Sequence, residues 1–324
     1  MIYLHDGHIR EMGTDWGQLA DLVEQVVRTR EAGDTVSPLK TYLRFHDLQN
    51  RIIAMPAFVG GSFGLAGLKW IASYPDNGRH GLPRAHNTII LNDTATGRPD
   101  ALLRSELLNG LRTAAVSGLM MRAFMAARQP EELRLGIIGW GPIGRRHLEM
   151  CAELFGDRLK QVMLYDLKGI DPETVPQSLR DRTELVSDWR ALYRGSNVIA
   201  TCTVAAERYI DEEPSAGALL LNVSLRDYVP ASVANVKAVI VDDWREVCRE
   251  NTDIEKLHEQ FGLCESDART IADVVCREAL ADFAASEPVF FNPMGLGAFD
   301  IAIAGYYWLR ALRMGIGLEL EPGI

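Results

Sequence analysis

One stretch limits what this chain can fold into more than any other. An apolar run from Leu135 to Ile138 leads into Gly139, Trp140, Gly141, Pro142, Ile143 and Gly144, with three glycines in G-x-G-x-x-G spacing, and a helix-compatible segment follows to about Phe155. A buried parallel strand ends there in a turn that only glycine makes. The missing side chain at Gly141 lets a pyrophosphate approach the backbone, and the helix N-terminus meets the negative charge. An ordinary strand-to-helix turn has the same glycines. Here, however, Gln161 to Tyr165 reads as the next strand and ends on Asp166, a carboxylate placed to accept hydrogen bonds from an adenosine ribose diol. A bare carboxylate repels a 2′-phosphate, so the expected cofactor is NAD rather than NADP. Arg145 and Arg146 pull the other way, since either can reach a phosphate.

With 324 residues and 47% hydrophobic content, the chain has material for about two domains. Its net charge of -10 argues against nucleic acid as a partner. The five cysteines, Cys151, Cys202, Cys248, Cys264 and Cys276, form no C-x-x-C pair. Neither a zinc ribbon nor a disulfide framework is indicated, and a cytoplasmic setting is expected. Residues 1–6 place an acid where the apolar core of a signal peptide would continue, and no run approaches membrane-spanning length.

From the N-terminus, Asp15 to Arg30 has a helical apolar period capped by Asp15, and Lys40 to Phe45 and Arg51 to Met55 read as strands. Arg44 closes the first of these, a position for either a surface arginine or a ligand. Gly60 to Gly64 matches the nucleophile elbow G-x-S-x-G around Ser62. The elbow needs a following helix, whereas Leu65 to Ser73 is strand-like, so a glycine turn is expected instead. Lys69 interrupts that strand and must point outward or find an anion. Arg79, His80, Arg84 and His86 then gather cations around the Asp76-Asn77-Gly78 turn, ahead of strands at Asn87 to Asn92 and Pro99 to Leu103. A helix from Ser105 to about Arg128 carries Arg112 on a face of small residues, which suits a bidentate grip on a carboxylate or a structural salt bridge equally.

In the second half, Asn197 to Thr203, Ala218 to Val223 and Ala238 to Asp243 read as buried strands. Their C-terminal ends should face the cofactor, which brings Thr201, Thr203, Asn222 and Ser224 to it unless these groups merely cap turns. Trp244 to Gln260 and Ser266 to Ala285 read as helices, and a last helix runs from Ala298 to about Arg313.

The run Leu108-Asn109-Gly110-Leu111-Arg112-Thr113-Ala114-Ala115-Val116-Ser117-Gly118, with Met55-Pro56, Gly67-Leu68-Lys69 and the glycine loop in this order, resembles the ornithine cyclodeaminase and mu-crystallin family over nearly the whole chain. Residues 53–61, 67–71, 81–85 and 222–227 most resemble the branch containing N-(2-amino-2-carboxyethyl)-L-glutamate dehydrogenases, which make 2,3-diaminopropionate for siderophores and peptide antibiotics. The resemblance implies an α/β chain with a Rossmann NAD-binding domain over residues 113–297. It also implies an α+β substrate and dimerisation domain formed by residues 1–112 and the returning helix, 298–324, and a homodimer.

By the same resemblance, Arg44, Lys69 and Arg112 grip the carboxylate of an amino-acid substrate in one cleft, with Lys69 and Asp227 in the catalytic set and Asp227 as acid/base. The alternative for Asp227 is pairing with Arg226 or capping the turn before Pro230. A cyclodeaminase has a glutamate shortly before Met-Pro for the distal amine of its substrate, but Ile52-Ile53-Ala54 stands here, which disfavours ornithine. A substrate with three carboxylates would instead occupy the extra cations, Arg84 among them. The expected reaction is hydride abstraction from the glutamyl Cα, then imine hydrolysis to 2-oxoglutarate and 2,3-diaminopropionate, with no metal. Cyclodeamination, ketimine reduction or another amino-acid dehydrogenase activity are the rival enzymes. Nucleotide-dependent ligand binding without turnover is the rival from outside enzymology.

Overall fold

The computed structural model describes residues 1–320. The chain forms two compact units, Met1–Ala115 with Gly295 onward, and Val116–Met294.

The first unit is built on a sheet of β1 (Ile2–His5), β2 (Thr35–Val36), β3 (Thr41–Leu43), β4 (Arg51–Val59), β5 (Leu65–Ser73), β6 (Ala85–Asn92) and β7 (Pro99–Arg104). The short strand Leu318–Glu319 pairs with β1, and the order then runs β1-β7-β6-β5-β4-β2, with β3 also on β4. From β4 to β7 the strands form an antiparallel meander, and alternation assigns their two faces. Met55, Ala57, Val59, Ile71, Ile89, Leu91, Ala101 and Leu103 are buried beneath the helices Trp16–Glu31 and Gly297–Met314. The opposite face, with Ile52, Ala54, Pro56, Phe58, Leu68, Trp70 and Ile90, is half-buried to exposed although apolar. Asp15 caps the first helix by accepting from the Gln18 amide, 2.8 Å. Ser62 sits exposed in the turn that joins β4 to β5, a hairpin and not a strand-to-helix elbow.

The helix Glu106–Arg128 starts in the first unit and ends in the second. Ser105 Oγ caps it by accepting from the Leu108 amide, 3.1 Å.

The second unit is a parallel sheet of β8 (Leu133–Ile138), β9 (Leu159–Tyr165), β10 (Thr183–Leu185), β11 (Val198–Thr201), β12 (Leu219–Asn222), β13 (Ala238–Val241), β14 (Arg269–Thr270) and β15 (Val289–Asn292). Its order, β10-β9-β8-β11-β12-β15-β13-β14, starts with two strands wound one way from β8 and continues with those wound the other. That is the doubly wound Rossmann arrangement, and its switch point lies between β8 and β11. Strands β11, β12, β13 and β15 are buried at every residue, as a parallel sheet covered on both faces requires. Among the described residues no helix is long and apolar enough to cross a membrane.

Two stretches read as continuous helix are broken. Residues 244–260 divide into Trp244–Val247 and Asp253–Phe261, because Glu250 and Asn251 take left-handed backbone at φ 65° and 57° and Thr252 starts the second helix as its cap. Residues 266–285 contain β14, the helix Ile271–Arg277 and a 3-10 turn, Ala279–Asp282. The apolar period survived in both stretches, and tertiary pairing overrode it.

His147 joins two helices of the second unit. Its Nδ1 lies 2.9 Å from the Ile143 carbonyl, to which it donates, leaving Nε2 to accept from Ser117 Oγ at 2.9 Å. Burial pushes its pKa down from 6.5 to about 4. The unfolded chain therefore takes up a proton at this residue near pH 6.5 while the folded chain refuses it. The contribution is complete above that pH and disappears as pH falls towards 4, about 3 kcal/mol at most. Urea denaturation at about pH 7.5 and pH 4.5 should show this loss in the wild-type chain and a smaller one in His147→Gln.

Candidate active site

In the second unit the C-terminal ends of β8, β9, β11 and β12 come together through backbone hydrogen bonds. The Gly139 amide donates to Tyr165 O, Cys202 N to Ile138 O and Ser224 N to Thr201 O, at 2.7–3.0 Å. Gly139 has φ 99°, and a Cβ on Gly144 would lie 2.2 Å from the Gly139 carbonyl, so the turn closes tightly on its helix. Gly141 differs. Its backbone is extended, no side chain caps the helix Pro142–Phe155 behind it, and a Cβ there would meet nothing within 4 Å. The amides of the first turn thus face open space beside a position without a side chain, the arrangement a pyrophosphate needs. Asp166 holds the loop, accepting from the Trp140 amide at 2.8 Å and the Lys168 amide at 2.9 Å, and each oxygen keeps a lone pair for a ribose hydroxyl. Of the two arginines, Arg146 pairs with Glu149 and Arg145 lies over the Trp140 ring, 5.9 Å from its centroid.

Because Gly141 has room for a side chain, Gly141→Val should fold with an unchanged melting temperature. Its affinity for NAD should fall at least about tenfold, or 1.4 kcal/mol. Isothermal titration alongside thermal denaturation checks both halves of the expectation.

Beyond β12 the chain turns through Leu225, a buried residue at φ 65°, and reaches Asp227, which is 1% exposed. Thr203 Oγ1 donates to Asp227 Oδ1 at 2.5 Å and Ser224 Oγ to Oδ2. Burial pushes this carboxyl above its ordinary range, and the hydroxyl donors with the Arg226 charge only partly counter it. The guanidinium of Arg226 donates to the carbonyls of Glu250 and Ser224. Thr203 and Ser224 are half-buried, so they are the hydroxyls through which a proton can leave the carboxylate. Thr201 and Asn222 are fully buried. Thr201 donates to Asn222 Oδ1 at 3.3 Å, and Asn222 Nδ2 bonds Asp253 and Asn292. Both support the Asp227 loop from below.

In the first unit, Lys69 does not point outward. It lies 1% exposed, and its ammonium donates to Asp300 Oδ1 at 2.8 Å and Asn109 Oδ1 at 2.7 Å. Arg112 donates through Nε to the same Asp300 oxygen, 2.9 Å, and through Nη2 to Asn109 Oδ1, 3.3 Å. Its side chain keeps 11% of its surface, and a Cβ on Gly295 would fall 2.2 Å from Nη1, so only glycine fits beside it. Burial pushes Lys69 down to about 7 against the pull of Asp300, and the Arg112 and Lys40 charges push it further. Burial raises the Asp300 carboxyl, but Arg112 and Lys69 together outweigh it and hold the group below its ordinary range. A lysine so placed has one donor left after its two bonds.

Arg44 and Arg84 are not in this cluster. Both are exposed, and Arg44 stacks on Tyr42, 4.8 Å from the ring centroid. It follows Leu43, which pairs with Ile52, whereas Lys69 pairs with Met55. The register thus sets it about 13 Å along the strands from the lysine. Arg84 precedes β6, its carbonyl accepting from the Tyr74 amide at 2.8 Å. Arg79 pairs with Asp76 at 3.5 Å and His86 with Glu106 at 3.4 Å. Among the described residues no group of three or more His, Cys, Asp or Glu side chains is placed to hold a metal ion.

Four residues outside the sequence reading complete these sites: Asp300, Asn109, Gly295 and Asp253. A signal for Asp300 existed, a lone acid among Ala298, Phe299, Ile301, Ala302 and Ile303, since a charge inside an apolar helix face must find a partner. Asp253 gave none beyond that of an acid in a first helical turn.

Residues 9–274 match the family described as Ornithine cyclodeaminase/mu-crystallin family. The chain is 31% identical to an N-((2S)-2-amino-2-carboxyethyl)-L-glutamate dehydrogenase of Staphylococcus aureus, over 99% of this chain and 98% of that protein. It is 26% identical to a Delta(1)-pyrroline-2-carboxylate reductase of Bacillus cereus, over 89% and 90%. Its fold is that of the Thermococcus litoralis Delta(1)-pyrroline-2-carboxylate reductase solved with NADH and L-proline, with a TM-score of 0.87, 21% identity and coverage of 99% and 100%. A doubly wound dinucleotide fold, a buried Lys-Arg-Asp cluster and a match over most of its length lead to one conclusion: the chain belongs to the ornithine cyclodeaminase/mu-crystallin family.

Proposed function

We propose that this protein is an NAD-dependent oxidoreductase acting on a CH–NH group, and that its substrate is N-(2-amino-2-carboxyethyl)-L-glutamate. What supports the reading is that the chain carries both a buried carboxylate, Asp227, held by Thr203 and Ser224, and a cationic cluster of Lys69 and Arg112. The relative from Staphylococcus aureus bears this activity in its name. Bound NAD would supply the hydride acceptor that turns the glutamyl Cα–N bond of the neutral amine into a protonated imine, and the Gly139–Gly144 loop with Asp166 would hold it.

The chain's own residues do the rest. Arg112, with the remaining donor of Lys69, holds the α-carboxylate, and the exposed Arg44 and Arg84 serve the outer carboxylates. Fixing the reacting carbon in this way can account for several kcal/mol of barrier reduction. Asp227 takes a proton from the water that adds to the imine and passes it out through Thr203 or Ser224. The hemiaminal then collapses to 2-oxoglutarate and L-2,3-diaminopropionate, in keeping with a role in siderophore or peptide antibiotic synthesis. Incubating the protein with NAD and the substrate should yield NADH and 2-oxoglutarate in equal amounts; no NADH would reject the reading.

A reductive activity is the second reading, favoured by the relatives named for Delta(1)-pyrroline-2-carboxylate reduction. Oxidation of NADH by that cyclic imine, faster than any reduction of NAD, would select it. Cyclodeamination is disfavoured, because Ile53, which has the strand parity of Met55, offers no carboxylate to a distal ammonium.

The protein acts as a cytoplasmic homodimer in this proposal. The apolar outer face of the first unit's sheet, with Trp70 42% and Leu43 49% exposed, is the surface a second copy would cover.

A further inference from the structure

Lys69, Asp300, Arg112 and Asn109 form a closed ring. Two cations converge on one carboxylate oxygen and one amide oxygen, at 2.7–3.3 Å. Three elements supply it: β5, the helix Glu106–Arg128 and the helix Gly297–Met314. Asp300 is 2% exposed, its Oδ1 carries both cations, and its Oδ2 has no hydrogen-bond partner among the described residues. A carboxylate used only to fill its bonding capacity would spread donors over both oxygens. Here both charges are drawn to one atom, which fixes where the Lys69 ammonium and the Arg112 guanidinium point. Lys40, itself buried, adds a third cation near Lys69. Without Asp300 the buried lysine would face two like charges, and the neutral amine would be favoured.

We propose that Asp300 is a positioning residue that holds the Lys69 amino group and aims it, together with Arg112, at the substrate carboxylate. The proposal rests on the reading of those two cations as the carboxylate grip. It gives Asp300 no contact with the reacting atoms, and Asn109 the second corner of the same frame. The groups facing Lys69 are Asp300 from the C-terminal helix, Arg112 and Asn109 from the connecting helix, and Lys40 from the segment before β3. A change in any of their charges must move its titration.

The test uses the full chain labelled with lysine carrying 13C at Cε, the Lys69 signal being assigned by Lys69→Arg. Asp300→Asn should lower the Lys69 midpoint by at least about one pH unit, a tenfold loss of ammonium at a given pH, and Asn109→Asp should raise it. The double variant Asp300→Asn/Asn109→Asp, which moves the carboxylate one corner round the ring, should bring it back towards wild type. In kinetics, Asp300→Asn should raise KM more than it lowers kcat and move the alkaline limb of kcat/KM to lower pH. An unmoved Lys69 midpoint, or activity reduced equally at every pH, would overturn the proposal. Should Asp300→Asn not fold, an unmoved midpoint in Asn109→Asp overturns it as well. Failure of the wild-type chain to oxidise any amino acid would reject the functional reading alone, because the Lys69 titration is read without turnover.

Discussion

Asp227→Asn is expected to lower kcat about 10²- to 10⁴-fold, the usual contribution of a positioned acid or base, while NAD binds as tightly as before. The amide is nearly the same size and can still accept from Thr203 or Ser224, so the loop should keep its course; only the ability to take a proton goes. The pH profile gives the second check. Burial holds the Asp227 carboxyl above its ordinary range, so in the folded enzyme it ionises at a higher pH than a free aspartate. Wild-type activity should therefore rise with pH along a limb displaced upward from the carboxylate range, and that limb should vanish in the variant. Stopped-flow detection of NADH with a discontinuous assay for 2-oxoglutarate separates hydride transfer from hydrolysis. A variant that forms NADH in a burst and then stalls would show that Asp227 serves the water step. Near-normal turnover would remove it from the mechanism.

Asp253→Ala should be the most damaging single change to stability, costing about 3–5 kcal/mol, as breaking a buried ion pair does. The Asp253 carboxylate takes four donors: Arg208 Nε at 2.7 Å, Asn222 Nδ2 at 3.0 Å, and the amides of Asp227 and Tyr228 at 3.2 Å each. Burial lifts its pKa to about 6, so at pH 7.5 it is ionised and serves all four. Alanine would leave the buried amides of Asp227 and Tyr228 without their acceptor and take one partner each from Arg208 and Asn222. It would also loosen Asn222, whose Oδ1 accepts from the Leu225 amide at 3.0 Å and so helps hold that residue's left-handed backbone. Strain of this kind persists only while its surroundings enforce it. Activity should fall along with stability, because the Asp227 amide itself donates to Asp253. Denaturant titration at pH 7.5 measures the first effect. A loss under about 1 kcal/mol, the level of a single ordinary hydrogen bond, would show that water replaces the network.

Much of this protein is legible in its residues because the relevant physics is local. The glycine loop follows from steric limits on four or five neighbours, Asp15 and Ser105 announce helix starts through bonds three residues long, and the uninterrupted apolar runs of β11, β12, β13 and β15 mark a sheet covered on both faces. The same reasoning raised the question of Lys69, since a charge in an apolar strand needs an anion. It could not say which one. Asp300 is 231 positions away along the chain, and no period or spacing links the two.

The break at residues 248–252 shows the same limit from the other side. The helical pattern of the sequence was real, but an interior ion pair between Arg208 and Asp253 and the cap at Thr252 outweigh one more turn of helix. Local order along the chain thus specified the strands, the turns and the kind of cofactor loop. Which charges meet, which hydroxyls stay accessible, and that Arg44 stands apart from Lys69 were decided by tertiary packing. The reason is energetic: a buried charge is tolerated only beside its partner, and that partner is selected by the folded geometry of distant segments.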